Sequence, residues 1–219
     1  MLNSNIISTP APPLQLSDGI EFAQALFDDL KIHHWPVVED KIFKGMVTEE
    51  SLLDAGESKI IKDIQSELLT YKITSNEHYL EALGVMTDRR LDVITVTNSA
   101  GEYLGVILTK DILHQLGNFL GVHQPGGLIV METDIIHFSA GEINRLVETN
   151  DAQIIQFNTQ IDESTGRLLV TIRINKQEVS DIVATLQRYE YQITYFAGEE
   201  QYQNELKRNF NHLLHFIEM

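Results

Sequence analysis

The stretch GMVTEESLL at residues 45–53 returns as GVILTKDIL at residues 105–113. In both places an apolar run that begins with a glycine leads directly into apolar residues at helical spacing, which predicts a strand followed by a helix. A pattern that recurs at a fixed interval indicates one supersecondary unit built twice, with each copy burying its apolar face against the other. The sequence therefore predicts two similar modules with a cleft between them.

The segments upstream of each glycine repeat as well. A helix that Ser17 is predicted to cap precedes WPVV at residues 35–38, and a helix that Ser75 is predicted to cap precedes VITVT at residues 93–97. Serine is a preferred N-cap residue, and short runs of apolar and β-branched residues are typical of strands. This alignment matches Val38 with Val96. Each module is predicted to run helix, strand, strand, helix.

A different pattern follows the glycine- and proline-rich residues 121–126, which we predict to be a linker. The periodicity of residues 127–197 predicts strand, helix, strand, strand, helix, strand, with Ser139 and Glu142 as a capping box. This order favours a four-stranded sheet with two helices on one face. Residues 198–219 predict an amphipathic helix that is buried against this module or at a subunit interface.

Composition excludes several classes of function. The 219-residue chain has a formal net charge of −16, so nucleic acid and anionic membranes are not expected as partners. There are no cysteines, which removes disulfides, thiolate metal sites and cysteine nucleophiles. The start lacks the pattern of an export signal, and no segment approaches the length of a membrane span, so we expect a cytoplasmic protein.

The two predicted helix starts offer nucleotide-binding chemistry. Free backbone amides and the positive end of the helix dipole attract an anion, and Gly45 and Gly105 permit a close approach to the backbone. A hydroxyl such as that of Thr48 suits a phosphate, and a carboxylate such as that of Asp111 suits ribose hydroxyls.

Charge separates the two helix starts. Glu49 and Glu50 occupy the first one and would repel a phosphate, whereas Thr109 and Lys110 occupy the second. We therefore expect the second copy to be the better site for a phosphorylated ligand.

With these residues the repeated module resembles a tandem pair of CBS (cystathionine-β-synthase) domains. Residues 127–197, with Gly141 between strand and helix, resemble an ACT domain, and the combination is similar to the acetoin-utilisation regulatory family. The resemblance implies an α+β fold. It consists of a tandem CBS (Bateman-type) pair at about residues 6–57 and 64–120, a ferredoxin-like βαββαβ ACT-like domain and a C-terminal amphipathic helix.

The resemblance also implies a function. CBS pairs bind adenosine nucleotides or related ligands, so AMP, ADP and ATP are the candidates here, and no cofactor is required. The implied nucleotide-binding residues are Asp111, Thr109, Lys110, Gly105, Thr48 and Gly45. The family pattern has a Ser or Thr three residues after the glycine and an Asp three further on. The first copy has Thr48 but Ser51, and the second has Asp111 but Leu108, so each copy keeps half of it.

ACT domains bind small metabolites or form dimers, which implies a second site in the loop before the predicted helix of the second module. Its residues are His137, Phe138, Ser139, Ala140 and Gly141. Free amides at that helix start suit a carboxylate such as that of an amino acid, although Glu142 places a negative charge beside them. The whole protein is then an allosteric, signal-transducing homodimer that regulates a protein target the sequence does not identify.

Two other functions compete with this hypothesis. In a structural interaction module with decayed ligand sites, the glycines serve backbone geometry, Thr48 caps a helix and Asp111 supports its helix dipole. An enzyme is disfavoured because the sequence lacks a Gly-x-Ser-x-Gly motif and a Walker loop. His33 and His34, like His212 and His215, are interpreted as packing or solvated residues, so no metal site is predicted.

Overall fold

The computed structural model describes residues 1–56 and 59–198, and it is a mixed α/β structure. The chain divides into two compact units, Met1–Leu116 (unit 1) and Gly117–Met219 (unit 2). The predicted C-terminal helix, including its apolar stripe, lies outside the described residues from position 199 onward. Within the described part, no helix has both the length and the apolar character needed to cross a bilayer.

Unit 1 contains the repeated module, and the predicted order helix, strand, strand, helix is confirmed in both copies. The first copy consists of α1 (Ile20–Leu30), β1 (His34–Glu39), β2 (Ile42–Thr48) and α2 (Glu49–Leu53). The second consists of β3 (Lys72–Thr74), α3 (Tyr79–Arg89), β4 (Val93–Thr97), β5 (Tyr103–Leu108) and α4 (Thr109–Phe119).

Helices α1 and α3 begin later than the sequence predicts. Their N-cap residues are Gly19 and His78, so the prediction of Ser17 and Ser75 as caps is wrong. The backbone N–H of Ser75 donates to Thr97 O instead, which keeps the chain extended beside β4. Strand pairing has therefore overridden the capping preference of serine.

The strand register corrects the alignment of the two copies. Gly45 pairs with Val37 in the antiparallel β1–β2 hairpin, and Gly105 pairs with Val96 in the β4–β5 hairpin. Val37, rather than Val38, is therefore the equivalent of Val96. A bulge follows at the same place in each hairpin, between Val37 and Val38 and between Val96 and Thr97. The sequence alignment chose Val38 instead of Val37 because the two valines are adjacent in β1.

A segment from outside each hairpin completes each copy. Ser8 forms an antiparallel bridge to Val106 in β5, with backbone N–O distances of 2.7 and 3.0 Å. Leu69 forms the same bridge to Met46 in β2, with distances of 2.7 and 2.9 Å. We call the stretches around Ser8 and Leu69 the crossing segments. The sequence prediction placed residue 8 in the first module, but it pairs with the second.

Two buried clusters form the core of unit 1, and each draws residues from both copies. Met46, from β2 of the first copy, packs in the cluster of the second, whereas Val106 from β5 packs in the cluster of the first. Because these side chains interlock, burial of apolar surface holds the two copies together. The largest side chain buried there is that of Trp35, whose Nε1 donates to Pro12 O at 3.0 Å.

Unit 2 contains a four-stranded antiparallel sheet and two helices. Its elements are β6 (Gly127–Thr133), α5 (Ala140–Glu148), β7 (Ile154–Ile161), β8 (Leu168–Ile174), α6 (Ser180–Arg188) and β9 (Gln192–Ala197). The strand order is β7-β8-β6-β9. Every second residue of β6 and β8 is buried, and these residues form one core with the apolar sides of α5 and α6.

Helix α6 begins at Ser180, and Asn175, whose residue type is favoured at helix caps, lies five positions before it. The Asn175 side chain accepts a hydrogen bond from the Gln153 backbone N–H at 2.8 Å. Asn175 therefore fastens the start of β7 to the end of β8 instead of capping the helix.

Candidate functional site

Gly45 and Gly105 occupy equivalent places next to the crossing segments. Their φ angles are 151° and 148°, which L-residues with side chains rarely adopt. A Cβ atom placed on Gly45 would lie 2.6 Å from Leu68 Cβ, and one placed on Gly105 would clash with Ile7 Cγ2. Both glycines therefore let the chain's own crossing segment approach, which gives them a structural reason in addition to the predicted ligand contact.

The second helix start holds Asp111 by one of its two carboxylate oxygens. Ser8 Oγ donates to Asp111 Oδ2 at 2.8 Å, and the Leu108 backbone N–H donates to the same oxygen at 3.3 Å. Among the described residues, no hydrogen bond reaches Asp111 Oδ1. The carboxylate is partly buried and held in orientation through Oδ2.

Thr109 and Lys110 differ in their availability. The Thr109 backbone N–H and hydroxyl both donate to Asp92 O at 3.0 Å, so this residue is already engaged. Lys110 is exposed, and within the described chain the backbone N–H groups of Lys110 and Asp111 find no acceptor outside α4. The first turn of α4 thus offers two amides and an ammonium group to an anion.

The first helix start is closed by its own side chains. Thr48 Oγ1 accepts from the Ser51 backbone N–H at 3.0 Å, and Ser51 Oγ accepts from the Thr48 backbone N–H at 3.1 Å. This reciprocal capping box uses the hydroxyl that the sequence assigned to a phosphate. Glu49 and Glu50 add two negative charges to a helix of only five residues.

Asp92 joins the two copies at a place that the sequence did not predict. Its carboxylate accepts from the His33 backbone N–H at 2.7 Å and lies 2.6 Å from His34 Nδ1. Burial alone would raise the pKa of Asp92, but the hydrogen bonds from His34 and the His33 backbone outweigh burial and lower it below its ordinary value. By the strand register, position 33 of the first copy corresponds to position 92 of the second. The Nε2 atom of His33 also lies 3.6 Å from Glu49 Oε2.

Two hydroxyls of the β4–β5 hairpin are buried and find no hydrogen-bond partner among the described residues. They belong to Thr95, which is fully buried, and to Tyr103. Burial raises the pKa of Tyr103 to about 12. Because directly paired residues point to the same side of a sheet, Thr95, Val106 and Ser8 share one face.

The structure spreads the five residues of the predicted loop site in unit 2 over different environments. Phe138 packs against the core, with its ring 6.1 Å from that of Phe157. Ser139 Oγ accepts from the Glu142 backbone N–H at 3.2 Å, as predicted, but the Glu142 side chain accepts from Tyr191 Oη at 2.9 Å instead of closing the capping box. Ala140 and Gly141 are exposed.

A cavity of about 510 Å³ lies beside this loop and takes only His137 from the predicted set. The residues that line it are Thr133, Asp134, His137, Glu142, Arg167, Tyr189, Glu190 and Tyr191. Arg167 donates to Gln192 Oε1 at 2.7 Å and forms ion pairs with Glu132 at 3.4 Å and Asp134 at 3.6 Å. Burial, together with the bond to Glu142, raises the pKa of Tyr191 to about 12.

Sequence reasoning missed Ser8, Asp92, Arg167 and Tyr191. Each belongs to a contact between residues far apart in the chain, as for Ser8 and Asp111, which are 103 positions apart. The only local signal was polarity beside an apolar run. Within residues 1–56 and 59–198, no group of three His, Asp or Glu side chains is placed to hold a metal ion. His212 and His215 lie outside the described residues.

Residues 4–58 match the model of the CBS domain family. The match covers the first copy, and the second copy repeats its elements, its strand register and its glycine geometry. Unit 1 contains a pair of CBS domains. This confirms the predicted CBS pair, whereas the ACT-like identity of unit 2 and membership of the acetoin-utilisation family stay predictions.

Several solved structures are similar to about half of the chain. CBSX2 in complex with AMP is 14% identical with a TM-score of 0.46, and the match covers 53% of this chain and 96% of that one. A CBS domain pair/ACT domain protein from Thermotoga maritima is 15% identical with a TM-score of 0.49, covering 55% and 99%. The AcuB protein from Vibrio cholerae, named for acetoin utilization, is 19% identical with a TM-score of 0.46, covering 56% and 95%.

Proposed function

We propose that the CBS pair binds an adenosine nucleotide at the start of α4 and that the protein is a non-catalytic regulator. The observation that carries this proposal is the state of Asp111, whose carboxylate is held by Oδ2 while Oδ1 accepts no hydrogen bond from the described residues. Beside it, the free amides of the first turn and the Lys110 ammonium group suit a phosphate.

The first copy has a smaller part in this proposal. The Thr48 hydroxyl is held in the capping box, and Gly45 accommodates Leu68. We assign Thr48, Gly45 and Gly105 to the shape of the cleft, and Asp111, Lys110 and Thr109 to the ligand. Thr109 contributes through its position, because its hydroxyl already donates to Asp92 O.

Calorimetric titration with AMP, ADP and ATP tests the nucleotide site. We expect Asp111→Ala to weaken binding at least about tenfold, since it removes a charged hydrogen-bond acceptor. Ser51→Ala, at the equivalent position of the first copy, is the matched control and should leave binding unchanged. Saturation at 100 times Kd should also raise the free energy of unfolding by about 2.7 kcal/mol.

The competing function is an interaction module without a nucleotide ligand. It predicts no heat and no thermal shift with any adenosine compound at millimolar concentration. It also predicts that Asp111→Ala and Ser51→Ala behave alike. Absence of binding would exclude the nucleotide proposal and leave the CBS pair as a structural module, whereas binding that both variants change alike would exclude the start of α4 as the site.

A second candidate function concerns unit 2, which we propose to be an ACT-like module that senses a small metabolite. The cavity supports it, because the Arg167 guanidinium suits a carboxylate, while Asp134, Glu142 and Glu190 suit an ammonium group. Calorimetry with the twenty amino acids tests this site. Arg167→Gln should abolish any binding, whereas Arg188→Gln, which changes an arginine outside the cavity, should not. The absence of binding below millimolar concentration would exclude it.

We propose that the protein is a homodimer, which is the commonest closed assembly. Leu53 in α2 and Leu113 in α4 are 71% and 68% exposed at matching positions of the repeat. A groove of about 570 Å³ between α1 and α2 borders Leu53. Light scattering should give twice the chain mass for the wild type and a lower mass for Leu53→Lys combined with Leu113→Lys. A wild-type monomer at micromolar concentration would contradict the proposal.

A further inference from the structure

Ser8 lies 103 positions before Asp111 in the sequence, and its side chain contacts the proposed nucleotide site. Its side chain lies on the same face of the sheet as Val106, to which it is paired, and its hydroxyl donates to Asp111 Oδ2 at 2.8 Å. Two backbone hydrogen bonds to Val106, at 2.7 and 3.0 Å, anchor it. These bonds fix the position of the Ser8 backbone and Cβ, from which the hydroxyl reaches Asp111.

The first copy provides an internal comparison for this contact. Its crossing segment places Leu69 where the second copy has Ser8, because Met46 and Val106 are equivalent bridge partners. The position equivalent to Asp111 is Ser51, whose hydroxyl is held by Thr48. The copy that has Asp111 at this position thus receives a hydroxyl from its crossing segment, and the copy that has Ser51 there receives an apolar side chain.

We propose that Ser8 is a positioning residue for Asp111 and that it limits ribose recognition to one carboxylate oxygen. This rests on the proposed nucleotide site. A carboxylate with two available oxygens can accept the 2′- and 3′-hydroxyls of a ribose together. Here Ser8 Oγ and the Leu108 backbone N–H occupy Oδ2, so a contact in which each carboxylate oxygen accepts one ribose hydroxyl is closed, and the ligand reaches Asp111 through Oδ1.

The orientation of Asp111 is the second consequence of this contact. A side chain fixed before binding loses less rotamer entropy when the ligand arrives, and a fixed carboxylate presents its remaining oxygen at one angle. Ser8→Ala leaves Oδ2 with the weaker Leu108 bond at 3.3 Å alone. AMP binding should then weaken, although Ser8 itself does not touch the nucleotide.

Titration of the full chain with AMP, 2′-deoxy-AMP and 3′-deoxy-AMP tests the inference. In the wild type, one deoxy compound should lose about tenfold in affinity and the other less than about threefold, because Oδ1 accepts mainly from the ribose hydroxyl that lies nearer to it. In Ser8→Ala, AMP affinity should fall about fivefold, and the two deoxy compounds should become similar to each other. Ser8→Thr keeps the hydroxyl and should restore the wild-type pattern.

Ser4→Ala is the matched control, since it removes an exposed hydroxyl from the same terminal segment. Equal losses for the two deoxy compounds in the wild type would overturn the inference. So would wild-type affinities in Ser8→Ala while Asp111→Ala abolishes binding, and in that case the proposed nucleotide site would stand. If AMP does not bind, or if Asp111→Ala changes nothing, the nucleotide site and the inference both fail.

Discussion

The helix starts that follow Gly45 and Gly105 share a backbone arrangement and differ in their polar side chains. After Gly45, Thr48 and Ser51 satisfy each other in a closed capping box. After Gly105, Asp111 takes its second hydrogen bond from Ser8 of the crossing segment and keeps one oxygen free of described partners. The side chains of the first helix start therefore satisfy each other, whereas the carboxylate of the second has one oxygen without a hydrogen bond from the described residues.

This difference shows which parts of the repeat the fold requires. Both copies keep the glycine, the register shift next to it in the hairpin and the bridge to a crossing segment. These features determine the backbone, so a change in any of them affects the whole domain pair. The side chains at the helix starts do not determine the backbone, so they can differ between copies with little loss of stability.

The largest expected effect comes from adding a methyl group at either repeated glycine. Gly105→Ala forces an L-residue to a φ of 148° and pushes a Cβ atom against Ile7 and Ser8 O. We expect a loss of about 3 kcal/mol in the free energy of unfolding, measured by urea titration. Gly45→Ala should cost a similar amount, because Leu68 stands equally close.

Gly84→Ala is the control for this pair of variants. Gly84 lies in α3, and apart from the adjoining backbone of that helix no atom of the described residues stands within 4 Å of the position that an added methyl group would take. Because alanine also has the higher helix propensity, a stabilisation of about 0.5–1 kcal/mol is expected. If Gly45→Ala proved neutral while Gly105→Ala was costly, the two copies would not share one backbone requirement.

The next effect concerns the contact of Asp92 with the first copy. Asp92→Asn should lower the free energy of unfolding by about 1–2 kcal/mol at pH 7, because it weakens the bonds from His34 and the His33 backbone. Since folding lowers the pKa of Asp92, its contribution is present above the unfolded-state value of about 3.9 and is lost as the pH falls through the folded-state value.

Unfolding curves from pH 7 down to pH 3 measure this dependence. The difference between the wild type and Asp92→Asn should shrink toward the acid end. Asp88→Asn, which changes an exposed carboxylate of α3, should show no such trend. A difference that stays constant across this range would mean that the Asp92 charge has no part in joining the copies.

A smaller effect of opposite sign is expected at Thr95. Its buried hydroxyl has no hydrogen-bond partner in the part of the chain that the structure describes, and the equivalent position of the first copy holds Pro36, which has no polar side-chain atom. Thr95→Val should raise the free energy of unfolding by about 1 kcal/mol. Thr109→Val removes a hydroxyl that donates to Asp92 O and should lower it. A destabilised Thr95→Val would show that this hydroxyl is satisfied in solution.

The smallest expected effect on the free energy of unfolding comes from reversing a charge at either helix start. Glu50→Lys places a positive charge in the first turn of α2 and should cost about 0.5 kcal/mol, whereas Lys110→Glu in α4 should add about as much. Both effects should fade in 1 M salt. Effects of the same sign in both copies would show that the helix dipole does not determine them.

The sequence was sufficient for features that depend on neighbours in the chain. Apolar periodicity predicted the repeated helix, strand, strand, helix order, and Ser139 was correctly predicted as the cap of α5. It failed where a distant segment decides the outcome. Ser75 is a good N-cap residue, but it pairs with Thr97 O in the folded chain.

The candidate site was predictable to a similar extent. Asp111 and the glycines stand out because they recur in a repeat, whereas Ser8 belongs to no pattern and acquires its role only through the bridge to Val106. In unit 2 the loop around His137 was found, but Arg167 and Tyr191 were not, since β8 and the end of α6 bring them to it from further along the chain. Long-range register carries this information, and local periodicity does not contain it.

The crossing segments also determine whether the two CBS domains of unit 1 can be separated from each other. During synthesis the segment with Ser8 emerges 103 residues before Asp111. The backbone groups of Ser8 therefore stay unpaired until β5 has been made. Contacts of such long sequence separation slow folding. A cut between the two CBS domains would leave each with an uncovered strand edge that is open to pairing with other chains. The pair, rather than the single domain, is thus the smallest part of unit 1 that can be expressed alone without an uncovered strand edge.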